Sequence, residues 1–140
     1  MLRMIALCAS IGALLLATST ARAMTQDELA ELLTDRALEH GADPATVISL
    51  ARCEGGGALR PEAIGAKGER GLAQWYPGRG NHYDMTPNWT AHRVDVVAMY
   101  RAGDPDAVWF DADSLAWFVG EGPRSAVRTG WVTCTRQLGI

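Results

Sequence analysis

Apolar residues return at helical spacing near the start of the folded chain. Leu29, Leu32, Leu33 and Ala37, with Arg36 on the same stripe, predict an amphipathic helix that ends at Gly41. Thr25-Gln26-Asp27-Glu28 in front of it reads as a capping box, in which Thr25 and Glu28 each serve the other's backbone amide. A second helix starts at Asp43, a side chain suited to the N-cap, with Pro44 in the first turn. Val47, Leu50, Ala51 and Glu54 share one face of it, and Gly55-Gly56-Gly57 stops it. The glycine-rich segment 58–80 has no helical period and reads as turns with a short hairpin. Further helices are expected from Thr86-Pro87, with Trp89, Val96, Val97 and Tyr100 on one face, and from Asp104-Pro105. A fifth is expected from Asp113 through Leu115, Trp117 and Phe118, and a last one over 125–138 after the break at Gly120–Gly122. The fold class is therefore mainly α (α+β), a helical domain with a small irregular or β-hairpin element.

The first residues change the count of what folds. Arg3, the apolar run at 4–17 and Ala21-Arg22-Ala23 have the order of a secretory signal peptide with an A-x-A cleavage site. Residues 1–23 are expected to be removed and 24–140 to form one domain, exported to the periplasm or secreted. An uncleaved anchor is the alternative, but the run is short of the ~20 residues that a span requires. Loss of Arg3 and Arg22 takes the formal charge from −3 to −5. That leaves none of the basic footprint of a nucleic-acid binder. Cys8 leaves with the signal. Cys53 and Cys134 remain, and an exported pair most often forms a disulfide. Closing so long a loop stabilises a fold by roughly 4 kcal/mol in the chain-entropy model.

Several kinds of chemistry are excluded on spacing. Gly65-x-x-Gly68 is not followed by the Lys-Ser/Thr of a phosphate loop. His40, His82 and His92 have no metal spacing, so no metal and no cofactor is expected. Asp104, Asp106, Asp111 and Asp113 lack the glycine and final Glu of a calcium loop and read as helix caps and turns. No nucleophile elbow is present. Glu54 stands out instead. It ends a helix on the face of three apolar residues, where the negative end of the helix dipole and desolvation both favour the protonated acid. A solvated Glu in a last turn is the plainer reading of that position alone.

The segment after Glu54 shifts the balance. Pro61-Glu62-Ala63 followed by the glycine-spaced run that closes in Gly71-Leu72-Ala73-Gln74 resembles the signature of soluble lytic transglycosylases of the lysozyme-like superfamily. In that family a helix-ending Glu precedes a P-x-A segment and a G-L-x-Q run. Three departures accompany the likeness. Gly55 stands where the family has Ser, the spacing from Glu54 to Pro61 is about two residues longer, and the family's Y-N-A-G-P segment is only partly echoed at 118–123. The resemblance implies a lysozyme-like helical domain that cleaves the bond between N-acetylmuramic acid and N-acetylglucosamine in peptidoglycan glycan strands; separately, a monomer is the expectation, with the oligomeric state left open. It makes Glu54 the sole catalytic carboxyl group, acting as acid on the glycosidic oxygen and then as base on the sugar's 6-hydroxyl, which closes a 1,6-anhydro ring. Gln74 would contact the acetamido or lactyl region, and Gly71 and Leu72 would belong to the substrate-binding run. Glu69 would orient Gln74 or a water, although an ion pair with Arg70 or Arg60 is the blander expectation. Trp75 is expected to stack on sugar rings, with core packing as its alternative. A hydrolytic muramidase using the same Glu54, and a non-catalytic wall-binding or assembly protein, are the competing functions.

Overall fold

The computed structural model describes residues 22–77, 95–122 and 131–140. Five helices carry the fold: α1 (Gln26–Glu39), α2 (Pro44–Glu54), α3 (Val96–Ala102), α4 (Ala107–Gly120) and α5 (Val132–Leu138). Both expected caps at the start form. Thr25 accepts from the Glu28 amide while the Glu28 carboxylate accepts from the Thr25 amide at 2.7 Å. Asp43 caps α2 through the Thr46 amide at 2.9 Å. Residues 1–21 of the expected signal peptide and the helix start expected at Thr86, with Trp89, lie outside the described residues. Asp95 caps α3.

Helix α4 corrects the expected division into two short helices. It runs unbroken through Asp113, which is buried inside it and starts nothing. Asp111 is buried likewise, so neither aspartate is a cap or a turn residue. From Asp111 to Ala116 every residue of α4 is buried, as befits a helix covered on all sides. It packs against α1, α2 and α3. Leu29, Leu33 and Ala37 of α1, Val47, Leu50 and Ala51 of α2, and Ala112, Leu115 and Phe118 of α4 fill the core. The ring of Phe118 meets those of Trp75 and Trp131 at centroid distances of 5.7 and 5.8 Å. No helix among the described residues is long and apolar enough to cross a membrane.

Two long-range ties close the bundle. The Cys53–Cys134 disulfide joins the end of α2 to α5 across 81 positions. Its reduction is expected to cost roughly 4 kcal/mol by the loop-closure estimate. Denaturant titrations with and without reductant measure this, and coincident curves would contradict it. The second tie is His40, which follows α1. Its Nδ1 lies 2.6 Å from Glu121 Oε1 and its Nε2 2.9 Å from Asp113 Oδ1. Two acceptors on one ring are both satisfied only by the imidazolium. Burial alone would lower the pKa of His40, but the hydrogen bonds and charges of Glu121 and Asp113 outweigh it and raise the pKa above 6.5. Its contribution to stability is therefore complete below pH 6.5 and lost as pH rises through the higher folded value. Tm is expected to fall more steeply across that window in the parent than in His40→Ala, which keeps only the titration of Glu54. A parallel fall in both would assign the pH dependence elsewhere.

Candidate active site

Glu54 is the last residue of α2, and the loop behind it is firmly placed. The Gly55 amide caps Ala51 at 3.0 Å and the Gly57 amide bonds Arg52 O at 2.7 Å. The side-chain amide of Gln26 then clamps Leu59, donating to its carbonyl at 2.6 Å and accepting from its N–H at 2.8 Å. A Cβ on Gly55 would strike the carbonyl of Ala58, so this turn accepts only glycine there. Glu54 is half-buried, and among the described residues its carboxyl group has no hydrogen-bond or ion-pair partner. Burial, followed by the nearby charge of Glu69, raises its pKa from 4.5 to about 7. A carboxyl that is half protonated near neutral pH is the form that general-acid work requires.

The irregular element expected at 58–80 is described through residue 77 and contains two isolated bridges, Ile64 with Arg70 and Arg70 with Trp75. It brings Glu69 and Gln74 together. Gln74 has φ 51°, in the left-handed region that non-glycine residues seldom occupy. Its Nε2 donates to Gly71 O at 2.9 Å and to Ala63 O at 3.3 Å. Glu69 Oε2 accepts from the Lys67 amide at 2.8 Å. The ion pair expected between Glu69 and Arg60 or Arg70 does not form among the described residues: Arg60 pairs with Glu62 instead.

Three expected substrate contacts are corrected. Trp75 is only 3% exposed, packed on Phe118 and Trp131, with its Nε1 donating to Asp111 Oδ1 at 2.7 Å. It belongs to the core because a turn placed against α4 points this side chain inward. Leu72 is fully buried, and its amide donates to Asp111 Oδ2 at 2.6 Å. Gly71 faces Asp111 and Tyr100, since a Cβ on it would collide with both. Tyr76 stays partly exposed, with Lys67 Nζ 5.8 Å from its ring centroid.

Asp111 is the positioning residue that the sequence pattern missed. Besides Trp75 and Leu72 it accepts from Tyr100 OH at 2.6 Å. Burial pushes its pKa up to about 6, against the opposing pull of its bonds from Tyr100, Trp75, Leu72 and Ala73. Burial and the Asp111 charge also raise the pKa of Tyr100. The one sequence signal was an acid flanked by apolar residues, Phe110 and Ala112, within a helix. Phe118, at the start of the partial Y-N-A-G-P echo, is core, and Glu121 in the same segment is engaged by His40. A cavity of about 810 Å³ is lined in part by Leu59, Arg60, Arg70, Tyr100 and Val108, and Glu54 is not part of its lining. Among the described residues no group of three or more His, Cys, Asp or Glu could hold a metal ion. Comparison with protein-family models, curated proteins and solved structures gives no match.

Proposed function

We propose that this chain is an exported lytic transglycosylase of lysozyme-like type that cleaves peptidoglycan glycan strands, with Glu54 as its acid and then its base. The observation that carries this reading is Glu54 itself: a half-buried carboxyl with a pKa of about 7, without a hydrogen-bond or ion-pair partner among the described residues, and close enough to Glu69 to respond to its charge. Protonated Glu54 donates to the oxygen between the muramic acid and glucosamine sugars as that bond breaks. The muramic 2-acetamido group supports the positive charge that develops. Ionised Glu54 then takes the proton of the 6-hydroxyl, whose oxygen closes the anhydro ring, and the acid is regenerated. The likeness of Pro61–Gln74 to the transglycosylase signature supports the same reading. Glycine at position 55, where the family has Ser, follows from the turn, which leaves no room for a side chain there. A disulfide is in keeping with an oxidising compartment and hence with export.

A second reading, hydrolysis by a muramidase, is favoured by one observation. Among the described residues no arginine pairs with Glu69, and its charge acts on Glu54, so a second carboxylate is available to position water. Digestion of purified peptidoglycan separates the two. Fragments ending in 1,6-anhydro-muramic acid, lighter by one water, are the expected product, whereas reducing ends would establish water as the nucleophile. Release of no soluble fragments would leave the non-catalytic wall-binding role.

A further inference from the structure

Arg70 carries a charge that the fold leaves unanswered. Its backbone is fixed on both sides, its amide donating to Trp75 O at 3.0 Å and its carbonyl accepting from the Trp75 amide at 2.8 Å. Its side chain is half-buried, and among the described residues no carboxylate pairs with it. The Nε is closed off from water and has no hydrogen-bond partner. A guanidinium donor shut away from both water and an acceptor is unfavourable, and the outer nitrogens are what remain to meet an anion.

Arg70 lines the cavity of about 810 Å³, a size within the range of sites that enclose small organic ligands. Leu59, Pro61 and Val108 give the cavity apolar walls, and Glu62 and Asp104 add two carboxylates to its lining. Arg60 lies beside them, 3.4 Å from Glu62. Arg22 also borders the cavity, but it is paired with Glu28 and leaves with the expected signal peptide. One guanidinium is therefore left over, which matches one carboxylate. A doubly charged phosphate would bring a second negative charge toward Glu62 and Asp104. A fatty acid would supply the carboxylate and a tail, but no donor for those two acceptors. A peptide with a free C-terminus supplies the carboxylate, N–H donors for the acceptors and apolar side chains for the walls.

We propose that this cavity is a second ligand site that binds a short apolar peptide by its C-terminal carboxylate, with Arg70 as the anchor. Glu54 is not part of the lining, so the site goes beyond the glycan-cleaving reading and does not depend on it.

The test is titration calorimetry of the purified protein with acetylated alanyl-leucyl-alanine, as the free acid and as the C-terminal amide. The acid is expected to bind about tenfold more tightly than the amide, equivalent to ~1.4 kcal/mol. Arg70→Gln should bring the two within about twofold, whereas Arg70→Lys, which keeps the charge, should retain most of the preference. Arg101→Gln removes an exposed cation outside the lining and should leave the preference intact. Hexanoate, with a carboxylate and a tail but no N–H, should bind about tenfold more weakly than the tripeptide acid. Should Arg70→Gln fail to fold, Val108→Trp, which fills the cavity from α4, should weaken binding of the acid about tenfold. No measurable binding of the acid, equal affinities of acid and amide, or an equal loss with Arg101→Gln and Arg70→Gln would each overturn the site. Hexanoate binding as tightly as the tripeptide would overturn the peptide assignment and give the cavity to lipid-like acids. Peptidoglycan digestion is scored separately: loss of the site leaves the glycan-cleaving reading standing, and absence of cleavage leaves the site standing.

Discussion

Asp111→Ala is expected to be among the most damaging single substitutions in this protein, lowering stability by about 4 kcal/mol or more. Three donors converge on this carboxylate at 2.6 to 2.7 Å, from Leu72 and Trp75, both buried, and from the partly buried Tyr100. Each buried donor left without an acceptor costs about 1–3 kcal/mol, and water cannot replace the carboxylate without opening the core. The loss is also structural. Asp111 ties the 71–75 turn to α4, and that turn carries Gln74. Asp111→Asn, which keeps one acceptor oxygen but turns an NH₂ toward donors, should lie between the parent and the alanine variant. Denaturant unfolding monitored by Trp fluorescence gives the order directly. An alanine variant within about 1 kcal/mol of the parent would mean that these bonds hold little.

Glu54→Gln is expected to have opposite effects on stability and on activity. The folded protein keeps a proton on Glu54 up to about pH 7, whereas the unfolded chain loses it near the ordinary value of 4.5. Stability contributed by the protonated form is therefore complete below pH 4.5 and lost as pH rises to about 7. The glutamine variant does not titrate there. It should match the parent at low pH and exceed it above pH 7 by about 1–2 kcal/mol, after discounting for solvent screening at a half-buried carboxyl. Glycan cleavage should fall by about a hundred- to ten-thousand-fold, the range spanned by loss of a general acid. In the parent, cleavage should decline above pH 7 as the acid ionises. Equal stability of parent and variant at pH 8 would show that the carboxyl is not strained by its surroundings.

What could be read from the chain follows the range of the interactions. Thr25 with Glu28, and Asp43 with Thr46, are contacts within one helical turn, so residue type and spacing were enough to find them. The raised pKa of Glu54 was also foreseeable, because the apolar face of α2 that desolvates it is local. The expected dipole contribution is not among the causes found, whereas the charge of Glu69, fifteen positions away, is. Asp113 and Asp111 failed for the complementary reason. Inside a helix an aspartate is unfavourable on its own, so the pattern assigned both to caps; their partners, His40 at 73 positions and Trp75 at 36, exist only once the bundle is assembled. Trp75 illustrates the same limit. A tryptophan beside a tyrosine after an irregular run suits a sugar platform or a core equally, and the direction of the turn against α4 decided for the core.

Digestion of one peptidoglycan preparation by the parent and by Glu54→Gln, with fragment end groups read by mass spectrometry, tests the catalytic assignment most directly. The parent should release fragments ending in 1,6-anhydro-muramic acid, and the variant should release almost none while remaining folded and at least as stable. Undiminished release by the folded variant would show that Glu54 is not the acid.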